Sequence, residues 1–576
     1  MNILLLHPED AFDGHWSREH WDAIVDLGRA PKSFYDDWSL KRSCPVFSIF
    51  DLAVEMEDMR VWRGLMQFGH GQVVDRFGID WWDVIALVIQ REMQDFRLVH
   101  RLAQTIATCE ELTVTRPSRL AEALSVHLGR PLRILQTGAS RRLARRVTRY
   151  GRAAANLTFQ QFRQVVYDKY DPHYTLRRKL AGVAAKSSEP VVLLPSAYTN
   201  VTRTAFRYAS VLPDQKFLLV LARESGAVSP VPKNVGSELL AAFAPKRLDQ
   251  SELDQLEKGW DHLETSLRDH PDFQLSVKFH VLRNAKRWLR LGVTVRDAWN
   301  EVFERRTIIG CLSADDTNPY SRIPLLLARQ RGVPGVACHH GALDAGMAYK
   351  TPAFSTYLVK GEMEYNYLHR VCDVDATLLK IGAPVAPPAN HSLWSDHAPY
   401  IVFFVEPYEA DFWRTEAIYR EVIPRLCAAA RHAGKTVLMK LHPFESFRHR
   451  QRLLKRVLDK HDYQLVTMTA APLSREILEK TWCAVSVEST TAFECAIAGI
   501  PAFLCGWLRH AYVAYAPQYA RFGVAKMLDA PDDLLQIPAL MKTAIPPANL
   551  ASHLVKAIAP ADLAQILCQS PPTALR

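Results

Sequence analysis

The segment Thr436-Val437-Leu438-Met439-Lys440-Leu441-His442-Pro443-Phe444-Glu445 is the clearest sign of an α/β chain. Residues 436–439 read as a short strand, and the polar turn after them opens what reads as a helix over 444–458. About fifty residues on, the pattern recurs. The apolar run 483–487 leads into Glu488-Ser489-Thr490-Thr491-Ala492-Phe493-Glu494, a helix over 491–498 stopped at Gly499, and then Ile500-Pro501. Twice, therefore, the chain passes from strand to helix through a turn rich in donors.

Such turns suit anions. A helix start leaves backbone N–H groups unpaired and carries a partial positive charge. Pro443 fits a first helical position, where its missing N–H costs nothing. His442 can donate to a phosphate oxygen, Lys440 adds charge, and Ser489, Thr490 and Thr491 supply hydroxyls. In open parallel sheets ligands bind beyond the carboxyl ends of strands, where both turns fall. A simpler reading competes: Thr491 and Glu494 have capping-box spacing, which needs no ligand. The two turns together, in this order, favour a nucleotide-phosphate site.

Working outward, 400–405, 464–468 and 501–505 read as further strands, with helices over 412–432 and 474–480. Strands alternating with helices predict a parallel, doubly wound sheet. Before it, 3–6, 24–27, 191–195, 217–222, 307–311, 335–338, 356–359 and 378–381 read as strands, with long helical patterns over 81–107 and 275–304. The proline-rich 382–388 interrupts both kinds of element. The expectation is an α/β chain of two Rossmann-type, doubly wound domains facing a cleft: an acceptor-side domain with helical insertions at 1–381, a linker at 382–397 and a nucleotide-binding domain at 398–576.

Composition agrees with a globular protein. Of the 576 residues, 48% are hydrophobic and 23% charged, which excludes a disordered chain, and the length allows two or three sizeable cores. Ten cysteines without a CxxC pair fit a reducing cytoplasm better than a disulfide framework. The N-terminus has no basic leader, and no run of eighteen apolar residues suggests a membrane span. A net charge of +10 points to an anionic partner.

The His442-Pro443 and Ser489-Thr490-Thr491 motifs, in a second α/β domain after a proline-rich hinge, resemble those of GT-B glycosyltransferases. The similarity is to bacterial surface-polysaccharide enzymes with CMP-linked donors, the sialyl- and Kdo-transferase type, and is strongest over 400–510. It implies donor-phosphate contacts at His442, Ser489 and Thr490, with Lys440 and Thr491 beside them, and a ribose contact at Glu494. The implied partners are a nucleotide-sugar donor and a glycan or lipid-linked acceptor, with no metal or cofactor needed. Polyol-phosphate transferases that use CDP-linked donors carry a related His-Pro motif with a later Ser-Ser pair. A UDP-sugar donor, or a non-catalytic scaffold of this fold, is also compatible with the motifs.

An inverting transfer needs a base for the acceptor hydroxyl. Two segments at the carboxyl ends of predicted strands supply candidates: Cys311-Leu312-Ser313-Ala314-Asp315-Asp316 and Cys338-His339-His340-Gly341-Ala342-Leu343-Asp344. His340 comes first, then Asp316, Asp344 and Asp315, since imidazole and carboxylate both accept protons near neutrality in suitable surroundings. A retaining enzyme would use a carboxylate as nucleophile instead. Capping of a helix near Asn318-Pro319 and ordinary burial of the histidines are the competing readings. Asp373-Val374-Asp375 has metal-binding DxD spacing but reads as a solvated loop. The arginine run over 141–152 forms a basic helical face, either solvated or in peripheral contact with an anionic membrane at the cytoplasmic side. It lacks the features of a nucleic-acid module, and no nucleic-acid partner is expected. Trp16, Trp21, Tyr35 and Trp38 suit core packing or sugar stacking.

Overall fold

The computed structural model describes residues 1–7, 19–28, 39, 43–52, 55–135, 171, 174–245, 248–343, 345–385, 392–406, 412–442, 445–487, 489–508, 516–547 and 549–568. Its fold is α/β, built on three sheets in which every strand pair is parallel.

The first sheet holds β1 (Asn2–Leu6), β2 (Ala23–Asp26), β3 (Val46–Ser48), β4 (Glu111–Val114) and β5 (Leu132–Ile134) in the order β3-β2-β1-β4-β5. The second holds β6 (Ser187–Ser196), β7 (Phe217–Leu221), β8 (Val235–Leu239), β9 (Arg306–Ser313), β10 (Gly335–Cys338), β11 (Thr356–Val359) and β12 (Leu379–Ile381). Their order is β12-β11-β10-β9-β6-β7-β8. The third holds β13 (Tyr400–Phe404), β14 (Thr436–Lys440), β15 (Val466–Thr469), β16 (Thr481–Ser486), β17 (Ala502–Cys505) and β18 (Lys526–Leu528), ordered β15-β14-β13-β16-β17-β18.

Each sheet is doubly wound. The chain builds outward from a central strand, returns to that strand's other side and builds outward again. The switch points lie between β1 and β4, β6 and β9, and β13 and β16. Crevices at such points are where open α/β sheets take ligands. The sequence region expected as one domain thus contains two sheets of its own. Strands β1–β5 and β13–β18 belong to one compact unit, and β6–β12 to another, together with the helix Pro560–Cys568.

The central strands are apolar throughout because helices cover both faces. Ile401, Val402, Phe403 and Phe404 of β13 are all buried, as are all of Phe217–Leu221 in β7. The helix Phe412–Ala433 packs Ile418, Val422, Leu426 and Cys427 against Ile401, Phe403, Met439 and Val485. The helix Thr491–Ile497 ends as its sequence suggests. Gly499 takes a left-handed φ of 73°, and the Ile500 N–H returns to the Cys495 carbonyl at 2.9 Å. A Cβ on Gly499 would meet the Ser392 side chain at 2.5 Å.

The strands that periodicity did not predict are β3, β4, β5, β8 and β18. Four of these are sheet edges, where one side lacks a neighbour and fewer apolar residues are needed. The helical pattern over 275–304 is interrupted. Helices span Gln274–Lys278 and Ala285–Arg305, because His280 between them takes a left-handed φ of 57°.

Candidate functional site

Two clusters of polar side chains stand at switch points. The first belongs to the sheet β13–β18. Strand β14 ends in Lys440 and delivers His442 two residues on, while β16 delivers Ser489, Thr490 and Thr491. Lys440 is buried, 8% exposed, and its Nζ donates to the Leu441 carbonyl at 2.8 Å. Burial lowers its pKa, opposed by the nearby carboxylates of Glu445 and Glu494. His442 is half-buried, and burial together with the Lys440 charge holds its imidazole below the usual histidine range. At neutral pH it is therefore a neutral N–H donor beside a cation.

The local geometry departs from the expected one at His442. The helix begins at Phe447, not 444, and Ser446 is its N-cap, accepting from the His449 N–H at 3.4 Å. His442 and Glu445 instead form a preceding turn. The Glu445 N–H donates to the His442 carbonyl at 2.9 Å, and the Glu445 carboxylate accepts from the His442 N–H at 3.3 Å and Arg450 Nε at 2.9 Å. The backbone of His442 is thus engaged with Glu445. Pro443 lies outside the described residues.

At the second turn the helix starts at Thr491, with Thr490 as N-cap and no side-chain cap bond, so the capping box read at Thr491 and Glu494 is not formed. Ser489 Oγ accepts from the Thr491 N–H at 3.3 Å and is 2.8 Å from Thr491 Oγ1. Lys440 comes close enough to His442 and to Glu494 to act on each electrostatically, although β13 separates β14 from β16 in the sheet.

The second cluster belongs to the sheet β6–β12. Tyr198 follows β6, Asp315 and Asp316 follow β9, and His339 and His340 follow β10. The Tyr198 hydroxyl donates to Asp315 Oδ2 across the switch point. Asp315 also accepts from the Thr317 N–H at 2.8 Å and Asn318 Nδ2 at 2.9 Å. Burial pushes its pKa up, but Lys350, the Tyr198 hydroxyl, His339 and the Thr317 N–H together bring it below the usual carboxylate value. The His340 ring meets the Tyr198 ring edge-on at 5.4 Å and lies 4.4 Å from His339. His339 is set by the Gly341 N–H on Nδ1 at 3.2 Å and by Lys360 Nζ on its carbonyl at 2.7 Å.

Asp316 is placed differently from its neighbour. It is fully buried, ion-paired with Lys350, and 3.6 Å from Arg322 Nη1. Asp344 lies outside the described residues, as do Trp16, Tyr35, Trp38 and the arginine run 141–152. Trp21 is core, packed with Leu4, Leu6, Ile24 and Cys44. The helix after β9 is capped by Asn318, not by either aspartate, with Pro319 in its first turn. Asp375 accepts from the Thr377 N–H at 2.8 Å, and Asp373 pairs with Arg63 at 3.1 Å, so both DxD carboxylates already have protein partners. Tyr198 is the residue sequence reasoning missed. Its signal was position, three residues beyond the strand expected at 191–195.

All ten cysteines are free thiols, and Cys568 alone is exposed. Among the described residues, no helix is long and apolar enough to cross a membrane.

No family model matches the chain, and no curated protein does. Solved structures give low-scoring likenesses. MurG of Acinetobacter baumannii shares 12% identity at a TM-score of 0.40, over 66% of this chain and 99% of that one. A UDP-GlcNAc 2-epimerase from Neisseria meningitidis, bound to UDP-GlcNAc, shares 11% at 0.37, over 66% and 97%. Phytolacca americana UGT2 shares 12% at 0.38, over 64% and 94%. The fold therefore rests on the three sheets themselves.

Proposed function

We propose that the chain is a glycosyltransferase that moves a sugar from a nucleotide donor, CMP-linked in the first instance, to a growing surface polysaccharide or lipopolysaccharide. What supports this reading is that Lys440 and His442 follow β14 and Ser489, Thr490 and Thr491 follow β16, the two strands flanking β13 at the switch point, with Lys440 within electrostatic reach of His442 and Glu494. The leaving nucleotide phosphate gains charge in the transition state. A partly desolvated ammonium and an imidazole N–H aimed at that phosphate stabilise the transition state more than the ground state. Glu494, on the exposed side of its helix, is assigned to the donor ribose. Proton removal from the acceptor hydroxyl is assigned to the Tyr198–Asp315–His340 cluster. Within it, Asp315 is held ionised, which suits it to orienting and balancing a protonated partner, while His340 is the proton acceptor. The scheme uses no metal.

A thermal-shift screen of the full chain against CMP, CDP, UDP, GDP and ADP tests the reading, because a ligand bound only by the folded state raises its apparent stability. Stabilisation by CMP that disappears in His442→Ala supports the CMP-linked donor. The same pattern with UDP keeps the transferase and replaces the donor. No response to any of the five overturns nucleotide binding at this sheet. With a donor in hand, His442→Ala is expected to lower turnover about a hundredfold, the order of a single lost oxyanion donor.

A further inference from the structure

The helix Glu55–Gly69 and the helix Trp81–Thr105 are joined by a tight segment with His70 and Asp80 at its ends, and Asp83 stands in the first turn of the second helix. His70 Nδ1 lies 2.9 Å from Asp80 Oδ2 and 3.9 Å from Asp83 Oδ1, and all three ligand atoms fall within 4.8 Å of one another. We propose that these three side chains bind one divalent transition-metal ion of the zinc class, clipping the end of one helix to the start of the next.

The independent observation is at Asp83. This residue is 4% exposed, and its Oδ2 accepts from Thr351 Oγ1 at 2.7 Å. Its Oδ1 is buried, has no hydrogen-bond partner and faces His70. A buried carboxylate oxygen without a partner is costly, and a cation in this position removes the cost. Arg329 lies within the electrostatic reach of Asp83, but its Nη1 donates to the Pro352 carbonyl at 3.1 Å.

Ligand type and geometry agree. One imidazole and two carboxylates form an N/O set suited to zinc, with metal–ligand distances of about 2.0–2.2 Å and hence ligand–ligand edges of roughly 3.3 Å, within the span seen here. Two carboxylates with a neutral imidazole match a dication in charge. The outer contacts are already made: the Gly71 N–H donates to Asp80 Oδ2 at 2.7 Å, the Trp82 N–H to Asp80 Oδ1 at 3.0 Å, and Thr351 orients Asp83. Asp75 stiffens the segment, accepting from the Phe77 and Ile79 N–H groups at 2.9 and 3.0 Å and from the buried Arg296 at 2.7 Å. The His70 side chain is 63% exposed, which leaves one coordination position open to water.

The test uses the full chain, stripped with a chelator that is then removed, and titrated with Co2+ and Zn2+ beside Mg2+. Uptake of about one Co2+ per chain is expected, with a visible spectrum lacking the thiolate charge-transfer band that cysteine ligation would give. Zn2+ should raise the melting temperature and Mg2+ should not. His70→Ala and Asp83→Asn should each weaken uptake by more than the ~10–100-fold that loss of an outer-shell partner costs. His70 is largely exposed, so its variant keeps the fold and decides the matter even where Asp83→Asn does not fold. Absence of Co2+ and Zn2+ uptake, or unchanged affinity in His70→Ala, overturns the proposal.

Discussion

The Tyr198 hydroxyl reaches across the β6/β9 switch point to the Asp315 carboxylate, joining residues 117 positions apart in the chain. That bond is one of the interactions holding the Asp315 pKa down. In Tyr198→Phe the pKa should rise, because a donor to the charged form is lost. If transfer requires ionised Asp315, the acidic limb of the pH–rate profile moves to higher pH, with the folded state little changed. An unmoved limb would show that the pair does not serve the reaction.

Asp316 and Lys350, one residue further along, make the opposite case. Both side chains are fully buried, and each is the other's ion-pair partner. Removing Asp316 takes from Lys350 its directly paired carboxylate and from Arg322 the one 3.6 Å away, and breaking a buried pair in this way typically costs about 3–5 kcal/mol. Asp316→Ala should therefore lose stability on that scale in urea unfolding. A normally stable Asp316→Ala that had lost turnover would instead return Asp316 to the chemistry.

The low pKa of His442 has a sign that can be checked. Between its lowered folded value and the usual value of about 6.5, the unfolded chain binds more protons than the folded one, so stability rises with pH there. The contribution is complete above about pH 6.5 and is lost as pH falls toward the folded value. Urea midpoints from pH 8 down to 5 should fall more steeply for the native chain than for His442→Gln. Parallel slopes would mean that the imidazole is not desolvated.

Gly310 in β9 tests the packing of the C-terminal helix. A Cβ at this position would come within 2.1 Å of the Leu567 carbonyl oxygen, and a backbone atom cannot swing aside as a side chain can. Gly310→Ala should cost about 1–3 kcal/mol through overpacking. Removing residues 560–576 in the same background should abolish the difference between glycine and alanine, and a persisting difference would place the strain elsewhere.

The alternation of strand and helix was legible in the sequence because periodicity is a local property. An apolar run such as 400–405 has to be buried on both faces, and a helix such as 412–432 shows its stripe whatever lies against it. The passages from strand to helix after β14 and β16 were legible for the same reason, as were the helix stop at Gly499 and a helix start near Asn318-Pro319, although its cap is Asn318 and not the aspartates. Short edge strands such as β5 and β18 were not, since half of their surface needs no apolar partner. Which side chains meet depends instead on how the elements pack. Asp315 and Asp316 are adjacent and chemically identical. Asp315 bonds Tyr198 across a switch point and Asp316 pairs with Lys350 in the core, because each is fixed by a partner from a different segment of the chain. The first sheet, assembled from strands on either side of two long helices, and the His70–Asp80–Asp83 group, brought together by a helix end and a helix start, depend likewise on contacts that no local pattern records.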